Sequence, residues 1–322
     1  MRPWIFLILF TTSLSHSQII IQDSETKNPV SYATVSFGDG NGLFADDEGM
    51  FVFTKKLYPD VDSLFISALG YKSIQLSTNG IPKIIKLQIE ADQLDEVIIS
   101  VPDKRKFKII KHKPVIHDVY DQCWLPTIES EIAVFVPKQE TKDQQLFKVQ
   151  FPIALEAQYR NKSRNSSTGP KFSTLYKVQF YRNEEGLPGK RMTSETIVIL
   201  ITETHGDYYE LDVDNLNLIL PDNGLFVGFQ VLGYADKKGK LLPNKKYKEI
   251  KGRNGMVKIP TNFRPLLPFT DEWPDYRTFT KRAFINGNQW KAFVPNYGIE
   301  SRLLDKGFAN YGIGVTLKTF RD

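Results

Sequence analysis

From Gln18 onward the chain is built of short β-branched and aromatic runs, closed by turns rich in Gly, Asn, Asp and Ser at intervals of about 8–12 residues. That rhythm constrains the fold more than any other feature, because it matches an all-β sandwich. In the first hundred residues no segment carries a convincing helical period. Apolar residues make up 41% of the 322 and charged residues 25%, so the chain can bury a substantial core and is not disordered. The net charge of +5 is small for this length and does not indicate a nucleic-acid partner.

Residues 1–17 read as a signal peptide. Arg2 supplies the positive n-region, Trp4-Ile-Phe-Leu-Ile-Leu-Phe10 is the apolar core, and Ser15-His-Ser17 puts small residues at −3 and −1 before Gln18. Seven helical residues rise only about 10 Å against roughly 30 Å of hydrocarbon, which argues against an anchor. No Cys sits at the cleavage point, and no later run approaches spanning length, so the expectation is an exported protein with no transmembrane span. The periplasm, outer membrane and cell surface are its expected locations. One cysteine, Cys123, leaves no internal disulfide. His112, His117 and His205 remain after the leader, too few and too scattered for a zinc site; each reads as an ordinary surface or turn histidine.

Residues 18–100 form the first expected domain. Ile19-Ile-Ile21 is followed by a polar turn. Residues 32–37 alternate Ala33 and Val35 with Thr34 and Ser36, and the turns Gly38-Asp-Gly-Asn-Gly42 and Ala45-Asp-Asp-Glu-Gly49 precede Met50-Phe-Val-Phe53. Ser63-Leu-Phe-Ile-Ser67, Lys72-Ser-Ile-Gln-Leu76 and Ile84-Ile-Lys-Leu-Gln-Ile89 complete the strands. An EF-hand register started at Asp39 fails, since its fifth and sixth positions are Leu43 and Phe44. Asp39, Asn41, Asp46, Asp47 and Glu48 therefore read as solvated turns.

Pro29, Ala33 and Val35, then Asp46, Gly49 and Phe51, then Ile66, Ser67, Gly70 and Tyr71, then Leu87, and finally Leu94-Asp-Glu-Val-Ile-Ile99 occur in order over about 80 residues. In this order and spacing the stretch resembles the carboxypeptidase-regulatory-like domain, a small transthyretin-like β-sandwich. The resemblance implies a Gram-negative envelope protein, since such domains stand at the N-terminus of TonB-dependent receptors. It implies no catalytic residue, whatever the family name suggests.

Residues 101–123 read as a basic connector, with six Lys or Arg in positions 104–113. The sharper reading is a patch for an acidic polymer or lipid headgroups, and the blander one a solvated edge or linker whose Phe107, Ile109 and Ile110 pack on one side. Too few residues follow for the plug and barrel of a receptor. Residues 124–322 form the second expected domain, a jelly-roll-like β-sandwich. Its expected strands are 131–136, 146–153, 175–181, 195–201, 208–213, 216–220, 224–231 and 312–317. Positions 161–170 and 237–253 are expected as loops, the latter with eight Lys or Arg. Lys148-Val-Gln-Phe151 and Lys177-Val-Gln-Phe180 repeat a text without further matches, so they read as two strands of like pattern and not as a repeat. Ser130-Glu-Ile-Ala133, Val178-Gln-Phe-Tyr181 with Gly186-Leu-Pro-Gly189, Leu211-Asp-Val213, Leu218-Ile-Leu-Pro221 and Phe226-Val-Gly-Phe229 give this half a weaker resemblance to jelly-roll-like envelope domains with no assigned activity.

No Gly-x-Ser-x-Gly elbow, His-Glu-x-x-His, P-loop or dinucleotide fingerprint is present, and no His is followed by Glu at +3, as a zinc carboxypeptidase would require. Two acids about 5–10 Å apart would suffice for a glycosidase. Glu156, Glu195, Glu210, Asp212 and Asp214 are the candidates, each read more simply as a solubilising strand-end charge. Trp273, Tyr276, Phe279, Phe284 and Trp290 form a late aromatic cluster that offers either stacking faces for sugars or core. The expected protein is thus a non-catalytic, exported interaction or binding module without cofactor or metal. Its expected partners are an envelope protein, a TonB-linked receptor or a polysaccharide. The alternative is a carbohydrate-binding accessory protein or weak glycosidase.

Overall fold

The computed structural model describes residues 18–90, 105–155, 171–243, 248–252, 255–259, 262–273, 275, 277–285, 287, 289–296 and 299–321. The leader, the 94–99 motif, Glu156, the 161–170 loop and Tyr276 lie outside the described residues.

The first body contains β1 (Gln18–Asp23), β2 (Thr34–Ser36), β3 (Gly42–Phe44), β4 (Met50–Val52), β5 (Ser63–Ser67), β6 (Ile74–Ser77) and β7 (Ile84–Leu87). They form two sheets, β4-β1-β7 and β3-β2-β5-β6, in which only the β1–β7 pair is parallel. The alternation seen in the sequence sets the core: Ala33, Val35, Leu64 and Ile66 point inward with Ile19, Ile21, Phe51, Ile85 and Leu87. Gly49, at φ +69°, turns the chain into β4 where a Cβ would come within 2.6 Å of the Ile21 carbonyl, so the turn admits no side chain.

The second body begins earlier than the sequence suggests. β8 (Phe107–His112), inside the expected connector, is the edge strand of a four-stranded sheet. Lys108 and Lys111 are exposed; so are Phe107 and Ile109, against the expectation that they pack, and of the three apolar residues only Ile110 lies against the main core. Then follow β9 (Cys123–Trp124), β10 (Ser130–Val136), β11 (Gln144–Pro152), β12 (Ser173–Glu184), β13 (Leu187–Arg191), β14 (Ile197–Thr202), β15 (Tyr208–Asp212) and β16 (Leu225–Tyr234). β17 (Lys248–Gly252), β18 (Gly255–Ile259), β19 (Leu267–Thr270), β20 (Thr278–Arg282), β21 (Lys291–Ala292), the four-residue helix α1 (Arg302–Asp305), β22 (Asn310–Tyr311) and β23 (Gly314–Phe320) complete it. A seven-stranded sheet, β13-β12-β16-β10-β20-β21 with β14 also on β12, faces the sheet β15-β11-β23-β8. The chain is an all-β protein of stacked sheets.

Two expectations are corrected. Residues 216–220 are not a strand, because the chain turns through a 3-10 segment at Asp214–Leu216 and a left-handed Asn217 (φ +48°), leaving one bridge from Ile219 to Gln145. The 237–253 stretch is not all loop, since β17 pairs with β18 in a hairpin. The two Lys-Val-Gln-Phe texts lie on β11 and β12, in opposite sheets. Each sends its Val and Phe into one core, where Phe229 stacks between Phe151 (4.5 Å) and Tyr176 (4.2 Å).

The bodies keep separate cores but meet along β2–β3. Phe44 leaves the first core and packs at 5.2 Å against the fully buried Phe284 of the second. Ser36 Oγ donates to the Phe284 carbonyl at 2.6 Å, and Lys240 donates to Glu48 at 2.6 Å. Gly42 lets these surfaces close, since a Cβ there would lie 2.7 Å from the Phe284 ring and 2.6 Å from the Val35 carbonyl. Gly42→Val is therefore expected to cost about 1–3 kcal/mol through overpacking, read as a lower urea midpoint. An unchanged midpoint would show that the contact does not hold.

Candidate functional site

On β12 the side chains of Tyr176, Val178 and Phe180 enter the main core, so Lys177, Gln179 and Tyr181 must point to the other face of the sheet. That outer face is turned toward the first body. The register places Lys177 beside Gln230, Gln230 beside Glu131 and Glu131 beside Lys281, a polar row across β12, β16, β10 and β20. Lys177, Gln230 and Glu131 are buried.

One step along, Tyr181 holds the row together. Its hydroxyl lies 2.5 Å from Glu131 Oε1 and 2.6 Å from the Gln179 amide. A phenol has one proton, and the carboxylate is the stronger acceptor. The Gln179 amide, whose buried nitrogen has no other partner, thus satisfies the phenol only with its Nε2 turned toward it. Burial, and then the Glu131 charge, push the Tyr181 phenol well above its usual range, so it stays a donor at neutral pH.

Lys177 is in the opposite position. Burial and then the Arg191 charge press its ammonium down to about 8, with Glu131 opposing and Lys281 adding to the fall. Its Nζ lies 5.3 Å from the Phe44 ring centre. It makes no hydrogen bond or ion pair among the described residues.

This row opens into a cleft of about 790 Å³ between the two bodies. Among the described residues four cations line it, Lys177, Lys190, Arg191 and Lys281, and no carboxylate does. β13 delivers two of them: Glu185 (φ +54°) and Gly186 (φ +85°) make a two-residue hairpin turn, and Arg191 then pairs with Tyr181. The first body contributes the hydroxyls of Ser31, Thr34, Ser67 and Ser73, with Tyr32 and Tyr71. Tyr32 is held in the left-handed region (φ +54°), a costly place for a bulky residue, by its N–H donating to the Asp46 carbonyl at 3.0 Å. Tyr71 donates to Asp23 Oδ2 at 3.0 Å. Across the cleft Trp290 meets Tyr181 edge-to-face at 5.6 Å, with the Lys281 ammonium 5.8 Å from its ring centre.

The residues singled out in the sequence disperse. Of the described late aromatics only Trp290 reaches the cleft. Phe284 is interface core, Phe279 packs on Phe226 at 5.1 Å, and Trp273 lies against the main core with the Arg277 guanidinium 5.0 Å from its ring centre. They are not one platform, because β20 and the segments after it send them to different faces. Glu210 is held below the usual carboxylate range by Lys148 (2.6 Å) and Gln150, Asp212 accepts from the Asp214 amide, and Asp214 pairs with Lys318 and Gln145. Glu195 stands in the loop before β14. His117 Nε2 donates to the Phe269 carbonyl at 2.8 Å, His205 accepts from the Thr202 amide, and His112 Nε2 is buried without a partner. His112 and His117 are thus more enclosed than a surface reading implies. Buried Cys123 donates to the Val119 carbonyl at 3.3 Å. Asp39 and Asp46 accept backbone amides of their own turns. In the basic edge strand region, Arg105 already pairs with Asp143 and Lys108 with Glu140.

Among the described residues no helix is long and apolar enough to cross a membrane, and no group of three or more His, Cys, Asp or Glu side chains is placed to hold a metal. No family model, curated protein or solved structure matches this chain. Lys177, Glu131, Gln179, Tyr181 and Gln230 were not visible as a site in the sequence. Polar residues at every second position of a strand read there as a wet face, and only the pairing register shows that four strands align them.

Proposed function

We propose that this chain is a non-catalytic, exported envelope protein that works as a binding module and takes its ligand in the cleft between its two bodies. The observation that carries this reading is the lining: among the described residues four cations with no carboxylate, ringed by hydroxyls and aromatic side chains, in a cavity of about 790 Å³. Concave sites with a few convergent polar groups are where ligands bind, and each candidate carboxylate among the described residues that forms a bond is already tied to a cation or an amide. The export signal and the resemblance of residues 18–100 to the regulatory-like domain supply the envelope setting, with a TonB-linked receptor or other envelope protein as partner class. Trp290 and the hydroxyl rim favour the carbohydrate-binding reading over a purely protein–protein one.

Leu69 lies on the cleft wall and outside both core clusters, so Leu69→Trp would narrow the cleft and crowd a ligand seated there. Probing the purified chain against a glycan and peptide array should show binding that the variant loses while its melting temperature is kept. Binding that survives in Leu69→Trp, or new reducing ends or cleaved peptide in the ligand, would overturn the proposal.

A further inference from the structure

We propose that the cleft accepts an acidic oligosaccharide, with Lys177 and Arg191 receiving a carboxylate of the sugar chain and Trp290 supplying a stacking face. This deepens the binding-module reading and rests on it.

The first support is the state of Lys177. The residue is 8% exposed, lines the cleft, and has the Phe44 ring 5.3 Å from its ammonium, with no hydrogen bond or ion pair to an anion among the described residues. The nearest acid of its own row, Glu131, already accepts the Tyr181 proton at 2.5 Å. A charge kept under those conditions is one that a ligand completes. The second is the company it keeps: Arg191 and Lys281 line the same space, and among the described residues no acid lines it, so these like charges repel one another until an anion arrives. Arg191 adds a planar fork that matches a carboxylate through two hydrogen bonds. The third is the remainder of the wall. Trp290 offers an indole beside Lys281, and Ser67, Ser73 and Thr196 offer hydroxyls that exchange hydrogen bonds with sugar hydroxyls. A simple inorganic anion would use the cations but neither the aromatic nor the hydroxyl groups.

Proton linkage follows. The groups that face Lys177 are Arg191 from β13, Glu131 from β10, Lys281 from β20, and the uncharged Gln230 from β16 and Phe44 ring from β3. The ammonium loses its proton as the pH passes about 8, so affinity for an anion should be greatest below that and fall above it.

The test is titration calorimetry with tetragalacturonate, the neutral galactotetraose and sodium sulfate, on the purified chain and on Lys177→Gln, Arg191→Gln, Leu69→Trp and Lys111→Gln. Tetragalacturonate should bind on the order of tenfold to a hundredfold tighter than galactotetraose, and Lys177→Gln and Arg191→Gln should each lose a similar factor. Lys111→Gln, on the other sheet, should bind as the parent does. Rising salt should weaken the acidic ligand only. Galactotetraose binding equally well, and lost in Leu69→Trp, would overturn the acidic assignment and leave the cleft reading standing. Sulfate binding as tightly as the tetramer would overturn the saccharide assignment. Tetramer binding that Leu69→Trp does not disturb would overturn both this proposal and the cleft reading. If Lys177→Gln fails to fold, Arg191→Gln at the half-buried end of β13 and the pH profile of the parent decide.

Discussion

Replacing Lys177 with methionine is expected to stabilise the chain at pH 7 by roughly 2–3 kcal/mol while weakening anion binding about tenfold to a hundredfold. The ammonium titrates near 8 in the folded chain against 10.5 in an open one. Below about pH 8 both states hold the proton, and the folded state bears the whole penalty of burying it. Between 8 and 10.5 the folded lysine is neutral while the unfolded one is still charged, so parent stability rises with pH. Above 10.5 neither is charged and the penalty is gone. The advantage of Lys177→Met should therefore shrink to about 1 kcal/mol or less by pH 10. Methionine keeps the length and apolar stem, and Glu131 keeps its bond from Tyr181. Urea titrations at pH 7 and pH 10 give the comparison. A variant less stable than its parent at pH 7 would mean that the ammonium is held by a native partner, and would remove the main reason for seeking a ligand there. Stability given up for an unpaired charge is the usual mark of a functional position.

Phe229→Ala should have the opposite sign and the larger size, a loss of about 3–5 kcal/mol. The ring on β16 sits between Phe151 from the facing sheet and Tyr176 from the neighbouring strand, nearly parallel to both at 15° and 7°, with Tyr311 5.9 Å away. Removing it takes the middle layer from a stack that joins the two sheets, and the surrounding strands are too fully hydrogen-bonded to collapse into the space. The urea midpoint should fall with an unchanged slope. Phe229→Leu should recover much of the loss, since it refills most of the volume. A midpoint shift worth less than about 1 kcal/mol would show that this stack does not join the sheets.

Much of the fold was legible because period-two alternation is a local property. Residues 131–136, 146–153, 175–181 and 224–231 were readable as strands, as were most of those in 18–90, since branched and aromatic residues alternate with polar ones between turn formers. The 216–220 run failed because its apolar residues looked like a strand while Asn217, free to take a left-handed conformation, turned the chain instead. The β17–β18 hairpin was hidden because it follows a lysine-rich run and its apolar residues, Ile250, Met256, Val257 and Ile259, are too few and irregular to read as alternation. β8 was legible as an edge but not as a member of the second body, since its partner, β23, lies some two hundred residues away.

The sequence by itself determined the class of the fold, the placing of most turns in residues 18–90 and the shortage of histidines and cysteines for metal or thiol chemistry. These follow from residue type and short-range periodicity. Only the tertiary structure decided which of the many lysines matters. Lys148 and Lys177 stand in the same four-residue text, yet Lys148 pairs with Glu210 on the outer face of one sheet while Lys177 lies buried beneath the first body, next to Phe44. The difference is made by strand register and by the docking of β2 and β3 through Gly42 and Phe284. Both bring together residues far apart in the chain, and desolvation, which sets the chemistry of Lys177, exists only once they have met.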